Sequence, residues 1–116
     1  MKGDLVIDRK NYRGPHSVHV YLHRLLGKHL TVIHGAVPLV NYLVHQPEVR
    51  IVHLGQIKPV RHVEAWRLMI KRHHRSFGLR LTIMDGWALQ VVVVTTRSMK
   101  YREKLEMDLL LKFPDR

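Results

Sequence analysis

Two kinds of side chain in this sequence carry chemistry: histidines and cations. Ten histidines and twenty Lys and Arg stand against nine Asp and Glu in 116 residues, with no cysteine. On the segment that opens Pro15-His16, His16, His19 and His23 recur at i, i+3 and i+7, so a helix there puts three imidazoles on one face. Such a set suits zinc, nickel or copper when a carboxylate completes it, although Arg24 and Lys28 beside it oppose a cation. His34 and His62 form a second pair. His34 precedes Gly35-Ala-Val-Pro38, and His62 follows the Gly55-to-Pro59 segment, which brings the two toward one end of a sheet. His73 and His74 are adjacent, so on an extended chain they face opposite ways and share no metal.

The cations form a denser pattern. The stretch Met69-Ile-Lys-Arg-His-His-Arg-Ser-Phe-Gly78 places three cationic side chains and two histidines around a chain reversal, and its flanks alternate apolar with basic residues. Trp66, Leu68 and Ile70 alternate with Arg67, Met69 and Lys71; Leu79, Leu81 and Ile83 alternate with Arg80, Thr82 and Met84. A strand of that pattern buries one face and exposes the other. Arg67, Lys71 and Arg80 then share the solvent face, with Arg72 and Arg75 at the tip. Lys58, Arg61 and the N-terminal Arg9, Lys10 and Arg13 extend the set. Polar positions of a single sign fit a surface that follows a phosphate backbone, where a neutral partner would meet mixed charge.

Composition bounds the rest. A formal net charge of +11 produces a long-range field that attracts polyanions, above all nucleic acid. With 46% hydrophobic and 25% charged residues the chain is globular in composition. No apolar run reaches the roughly 20 residues of a membrane span. The first fourteen residues lack the apolar core of a secretory signal, and the expected location is the cytoplasm. Without cysteine there is no disulfide framework and no thiolate zinc site. Scarcity of Asn, Gln and Cys is a thermophile trait.

The elements that must position these residues follow from periodicity. Residues 1–14 read as a basic N-terminal arm, with an extended Leu5-Val-Ile7, and 15–116 as a single α+β domain. Pro15 to Gly27 is a helix lined by Val18, Leu22, Leu25 and Leu26. Leu30-Thr-Val-Ile-His34 reads as a strand, Gly35 to Pro47 as a second helix, and Val49 to Leu54 as a strand bounded by Gly55. Those three make a parallel β-α-β unit. Two hairpins follow, turning at Ser76-Phe77-Gly78 and at Asp85-Gly86, and Trp87 to Thr96 is the central strand. Ser98 caps a last helix through about Phe113. The expected architecture is α+β, with a small mixed sheet of about four to five strands, a C-terminal β-hairpin pair and two to three helices.

Several stretches carry a family resemblance. They are His34 with Pro38-Leu39, Pro47-Glu-Val49, Gly55-Gln-Ile57, Val60-Arg-His62, Leu68, Gly86 and the run Gln90-Val-Val-Val-Val-Thr-Thr96. From His34 to Thr96, a little over half the chain, the sequence resembles a small prokaryotic family of predicted metal-binding proteins. That resemblance implies His34 and His62 as metal ligands, zinc being the expected ion. The chain departs from the pattern at Gly35, where members carry Ser or Thr; at Arg61, where they carry Gly; and at Val91, where they carry an acid. One carboxylate is thereby lost, and a cation stands beside His62.

The leading functional expectation is a non-enzymatic RNA-binding protein without a cofactor, ribosomal or ribosome-associated, whose partner is rRNA and which has no membrane or small-molecule partner. Shape would be read rather than sequence, because no base-reading helix or aromatic ribonucleoprotein motif is present. Metal binding at His34 and His62 is the alternative. The nine carboxylates offer no acid–base pair or cluster for hydrolysis or phosphoryl transfer; ribonuclease chemistry at His34 and His62 is the enzymatic possibility.

Overall fold

Pro15 starts the first helix because its missing N–H and fixed φ suit a first turn. In the computed structural model, which describes residues 7–27, 30–59, 67–72, 76–83 and 87–114, helix α1 runs Pro15–Leu26. Gly27 closes it at φ 59°, a left-handed conformation that favours glycine, and its N–H bonds the His23 carbonyl.

The expected strand at Leu30–His34 is a helix. Helix α2 spans Leu30–Val44 without interruption. Its first residues include the β-branched Thr31, Val32 and Ile33, which locally favour extended chain. The longer pattern prevails: Ile33, Ala36, Leu39, Val40, Leu43 and Val44 recur at intervals of three and four, and all are buried. Pro38 sits inside α2; lacking an N–H, it frees the His34 carbonyl from its usual i+4 bond.

With no strand there, the parallel β-α-β unit does not form. The sheet is small and antiparallel throughout: β1 (Val49–Pro59), β2 (Arg67–Arg72), β3 (Ser76–Ile83) and β4 (Trp87–Thr95), in the order β1-β4-β3-β2. The α+β class stands, and its mixed sheet is corrected to an antiparallel one. β1 continues past Gly55, where the chain takes φ 138° and the register shifts. Ser76-Phe77-Gly78 is not the first reversal either: Phe77 pairs with Arg72 and Val93, and Gly78 with Lys71 and Val92, so all three lie within β3. The intervening residues 73–75, and the Asp85-Gly86 turn, lie outside the described residues. Ser98 caps α3 (Met99–Lys112) as its sequence position predicts, its hydroxyl accepting from the Tyr101 N–H at 3.3 Å.

The core lies on one side of the sheet. Leu68 of β2, Leu89, Val91 and Val93 of β4, and Val49, Ile51 and Leu54 of β1 are buried in one cluster with residues of all three helices. Helices α1 and α2 lie side by side over it, Tyr21 of α1 donating to the Leu54 carbonyl at 3.4 Å. Tyr101 of α3 donates to the Pro47 carbonyl at 2.6 Å, and Phe113 meets the Tyr42 ring edge-on. The described part of the N-terminal arm is attached to the same body. Ile7 is buried and exchanges two 2.9 Å backbone bonds with Ile51 along the outer edge of β1.

Candidate nucleic-acid interface and imidazole cluster

Side chains of residues directly opposite each other across an antiparallel pair share a face of the sheet. Four rows of paired residues occupy the face away from the buried cluster. They are Lys58–Ala88–Thr82–Arg67, Gln90–Arg80–Met69, His53–Val92–Gly78–Lys71 and Arg50–Val94–Ser76. The residues between them are the buried Leu68, Leu89, Val91, Val93 and Ile51. Register therefore brings Lys58, Arg67, Lys71 and Arg80 to one face and adds Arg50, an exposed residue that sequence reasoning missed. Its signal was present, since Arg50 stands between the core residues Val49 and Ile51. Arg67, Arg80 and Lys71 are successive diagonal neighbours, a relation that sets Cα atoms about 7–8 Å apart. The four strands contain no Asp or Glu.

Arg72 departs from this set. It shares the parity of Leu68 and Ile70, and its Nε donates to Glu106 Oε1 of α3 at 2.6 Å. The other carboxylate oxygen of Glu106 accepts from Arg102 Nε at 3.2 Å. Arg72 is thus an ion-pair partner of the helical side rather than part of the open face.

The arm residues divide. Arg9 donates to the His45 carbonyl and, with Lys10 and Arg50, borders a recess closed by Pro47, Glu48 and Thr96. The Asp8 carboxylate holds this turn by accepting from the Lys10 and Asn11 N–H groups at 2.9 and 3.2 Å. Arg13 lies instead beside Tyr12, Ser17 and Tyr21. Arg61, Arg75 and His62 fall outside the described residues. Beyond the recess, the Arg97 guanidinium lies 4.9 Å over the Tyr101 ring. Burial, the largest cause, pushes the Tyr12, Tyr42 and Tyr101 hydroxyls above their ordinary pKa.

His34 is exposed on α2, and its ring stacks on that of His19 with centroids 5.6 Å apart and planes 22° from parallel. His23, one turn further along α1, places its ring 6.2 Å from that of His19. The expected His16–His19–His23 face thus meets α2, with His34 as its neighbour. This contact was not legible in sequence because the first half of α2 reads there as a strand. As the rings stand, no three His, Asp or Glu side chains among the described residues converge closely enough to hold a metal.

Among the described residues, three helices and four strands make an α+β fold with a cationic sheet face and a group of stacked histidines. The chain belongs to the family described as "Predicted metal-binding protein (DUF2103)", whose model matches residues 21–112. No curated protein and no solved structure matches it significantly. Among the described residues, no helix is long and apolar enough to cross a membrane.

Proposed function

We propose that this protein binds RNA through the open face of its sheet, as a ribosomal protein or a companion of another stable RNA in the cytoplasm, and that it performs no catalysis. One observation carries the reading. Antiparallel register gathers Arg50, Lys58, Arg67, Lys71 and Arg80 on a face whose strands contain no acid, in a chain of net charge +11.

Each of these cations that meets a phosphate releases condensed counterions, which makes binding favourable and strongly salt-dependent. The strands fix the cations relative to one another, so the surface reads the course of a backbone rather than base edges. Arg9 and Lys10, beside Arg50, extend the track past the edge of β1. Lys58, Arg61 and Arg75 belong to the same proposed set, and Arg72 is left out of it.

Sedimentation of a native lysate through sucrose gradients tests this. The protein is expected to travel with a ribosomal subunit or another stable RNA at moderate salt, and to return to the top after ribonuclease treatment. Recovery at the top of the gradient at moderate salt, with intact RNA present, would contradict the proposal.

The family's description favours a second reading, metal binding. His34 and His62 are its candidate ligands and zinc its expected ion; His34 is exposed on α2, and His62 lies outside the described residues.

A further inference from the structure

The chain passes from α2 into β1 through a turn that ends on Glu48. Alone among the described non-glycine residues, Glu48 takes a positive φ, 59°. That left-handed conformation strains a residue with a Cβ and is open to glycine without penalty. Glycine would serve the turn better, so the strain points to a use for the Glu48 side chain.

The carboxylate is held in place. Thr96, just beyond β4, donates its hydroxyl to Glu48 Oε2 at 2.8 Å, and the neighbouring Pro47 carbonyl accepts from the Tyr101 hydroxyl at 2.6 Å. Oε1 takes no hydrogen bond from the described residues. Glu48 and Thr96 border a recess of about 460 Å³, within the roughly 300–1,000 Å³ range of small-ligand sites. Arg9, Lys10 and Arg50 line it as well, and none of the three forms an ion pair with a described residue. Asp8, the other acid there, is occupied by the Lys10 and Asn11 N–H groups.

One fixed carboxylate among three cations differs from the sheet face, whose strands carry no acid. An anion beside a phosphate track weakens phosphate binding unless it meets a hydrogen-bond donor. The donor that a sugar–phosphate backbone offers is the ribose 2′-hydroxyl, present in RNA and missing from DNA. We infer that the recess takes one ribose–phosphate unit of a bound RNA strand, with Arg9, Lys10 and Arg50 on the phosphate and Glu48 accepting from the 2′-hydroxyl. Glu48 is then the residue that tells RNA from DNA.

This site deepens the RNA reading, on which it rests. Phosphate contacts along the open face are common to both polymers and supply no such choice. Arg50 joins the two surfaces: it belongs to the row with Val94 and Ser76 and also lines the recess, so a strand crossing the face reaches Glu48 without leaving the cations. Because Thr96 already fixes the carboxylate, little freedom is lost when the hydroxyl binds.

Titration of the full-length chain with two labelled single strands of one sequence, RNA and DNA, tests the site. A sequence of A and C alone makes the strands differ only in their 2′-hydroxyls. RNA is expected to bind about tenfold more tightly, the worth of one hydrogen bond to a carboxylate. Glu48→Gly removes the carboxylate and the backbone strain together, so the variant should fold and melt close to the parent. Its RNA affinity should fall to that of DNA, while its DNA affinity holds or rises because a negative charge has left the track. Equal losses on both strands in Glu48→Gly would show a purely structural role and overturn the inference. Equal binding of RNA and DNA by the parent, steeply salt-dependent for both, would overturn it while leaving the phosphate-binding face intact. Binding of neither strand would remove the RNA reading and this site with it.

Discussion

Arg72 and Glu106 are joined at 2.6 Å, and their bond separates Arg72 from Lys71, the residue beside it on β2. Lys71 shares the open face with Arg67 and Arg80; Arg72 turns to the helical side, where Glu106 also holds Arg102. The Arg102 and Glu106 side chains are only 5% and 3% exposed, against 69% for that of Arg72. Two cations on one buried carboxylate make Glu106 the anchor of α3 against the edge of the sheet.

Glu106→Ala is therefore expected to destabilise the fold by about 2 kcal/mol, because it removes a buried, charge-assisted hydrogen bond to Arg102 together with the Arg72 pair. Arg72→Ala removes a mostly exposed pair and should cost less than about 1 kcal/mol. Urea unfolding of the two variants separates these values; equal losses would show that Glu106 serves Arg72 and Arg102 alike.

Gly55 offers a second test of packing. Its φ of 138° lies where residues with a side chain are strained, and an added Cβ would sit 2.5 Å from Leu25 Cδ2 on α1. Gly55→Ala should lower stability by about 1–3 kcal/mol from backbone strain plus the collision. Pairing it with Leu25→Ala removes the collision alone. The double variant should then lose less than the sum of the two single changes, whereas strict additivity would mean that Leu25 simply moves aside.

The tyrosines set a limit at alkaline pH. Burial raises the Tyr12, Tyr42 and Tyr101 hydroxyls above the ordinary value of 10.0. Two of them donate as neutral phenols, Tyr12 to Asn41 Oδ1 at 2.7 Å and Tyr101 to the Pro47 carbonyl. A folded pKa above the unfolded one means that the folded chain holds the proton longer. Their contribution is complete below about pH 10 and falls as pH rises through the folded values. Melting temperatures should decline above pH 10, and less so in Tyr12→Phe and Tyr101→Phe, which carry no ionisable hydroxyl. An equal decline in both variants would remove these tyrosines as its cause.

What was legible in the sequence follows from how local each signal is. The alternation of Arg67, Lys71 and Arg80 with Leu68, Ile70 and Leu79 fixes their faces before any partner strand is known. Ser98 announces α3 through its own hydroxyl. The first half of α2 was misread because Thr31, Val32 and Ile33 favour extended chain, while the burial of Ile33, Ala36 and Val40 emerges only over four turns against α1 and the sheet. That misreading concealed the His19–His34 contact, which two packed helices create. It likewise produced a parallel crossover where the chain makes a helical pair. Arg72 was placed with its neighbours because nothing in its own segment announces Glu106, thirty-four residues further along.

Fluorescence anisotropy of a labelled single-stranded RNA, titrated over a range of salt, tests the central claim most directly. With Arg50, Lys58, Arg67, Lys71 and Arg80 engaged, log K should fall against log salt with a slope of about −3.5, at roughly 0.7 per phosphate contact. The combined Arg67→Ala, Lys71→Ala, Arg80→Ala variant, checked for its fold by circular dichroism, should bind more weakly and with a slope shallower by about 2. Arg72→Ala should keep the parent slope. A parent slope near zero, or a triple variant indistinguishable from the parent, would contradict RNA binding by the sheet face.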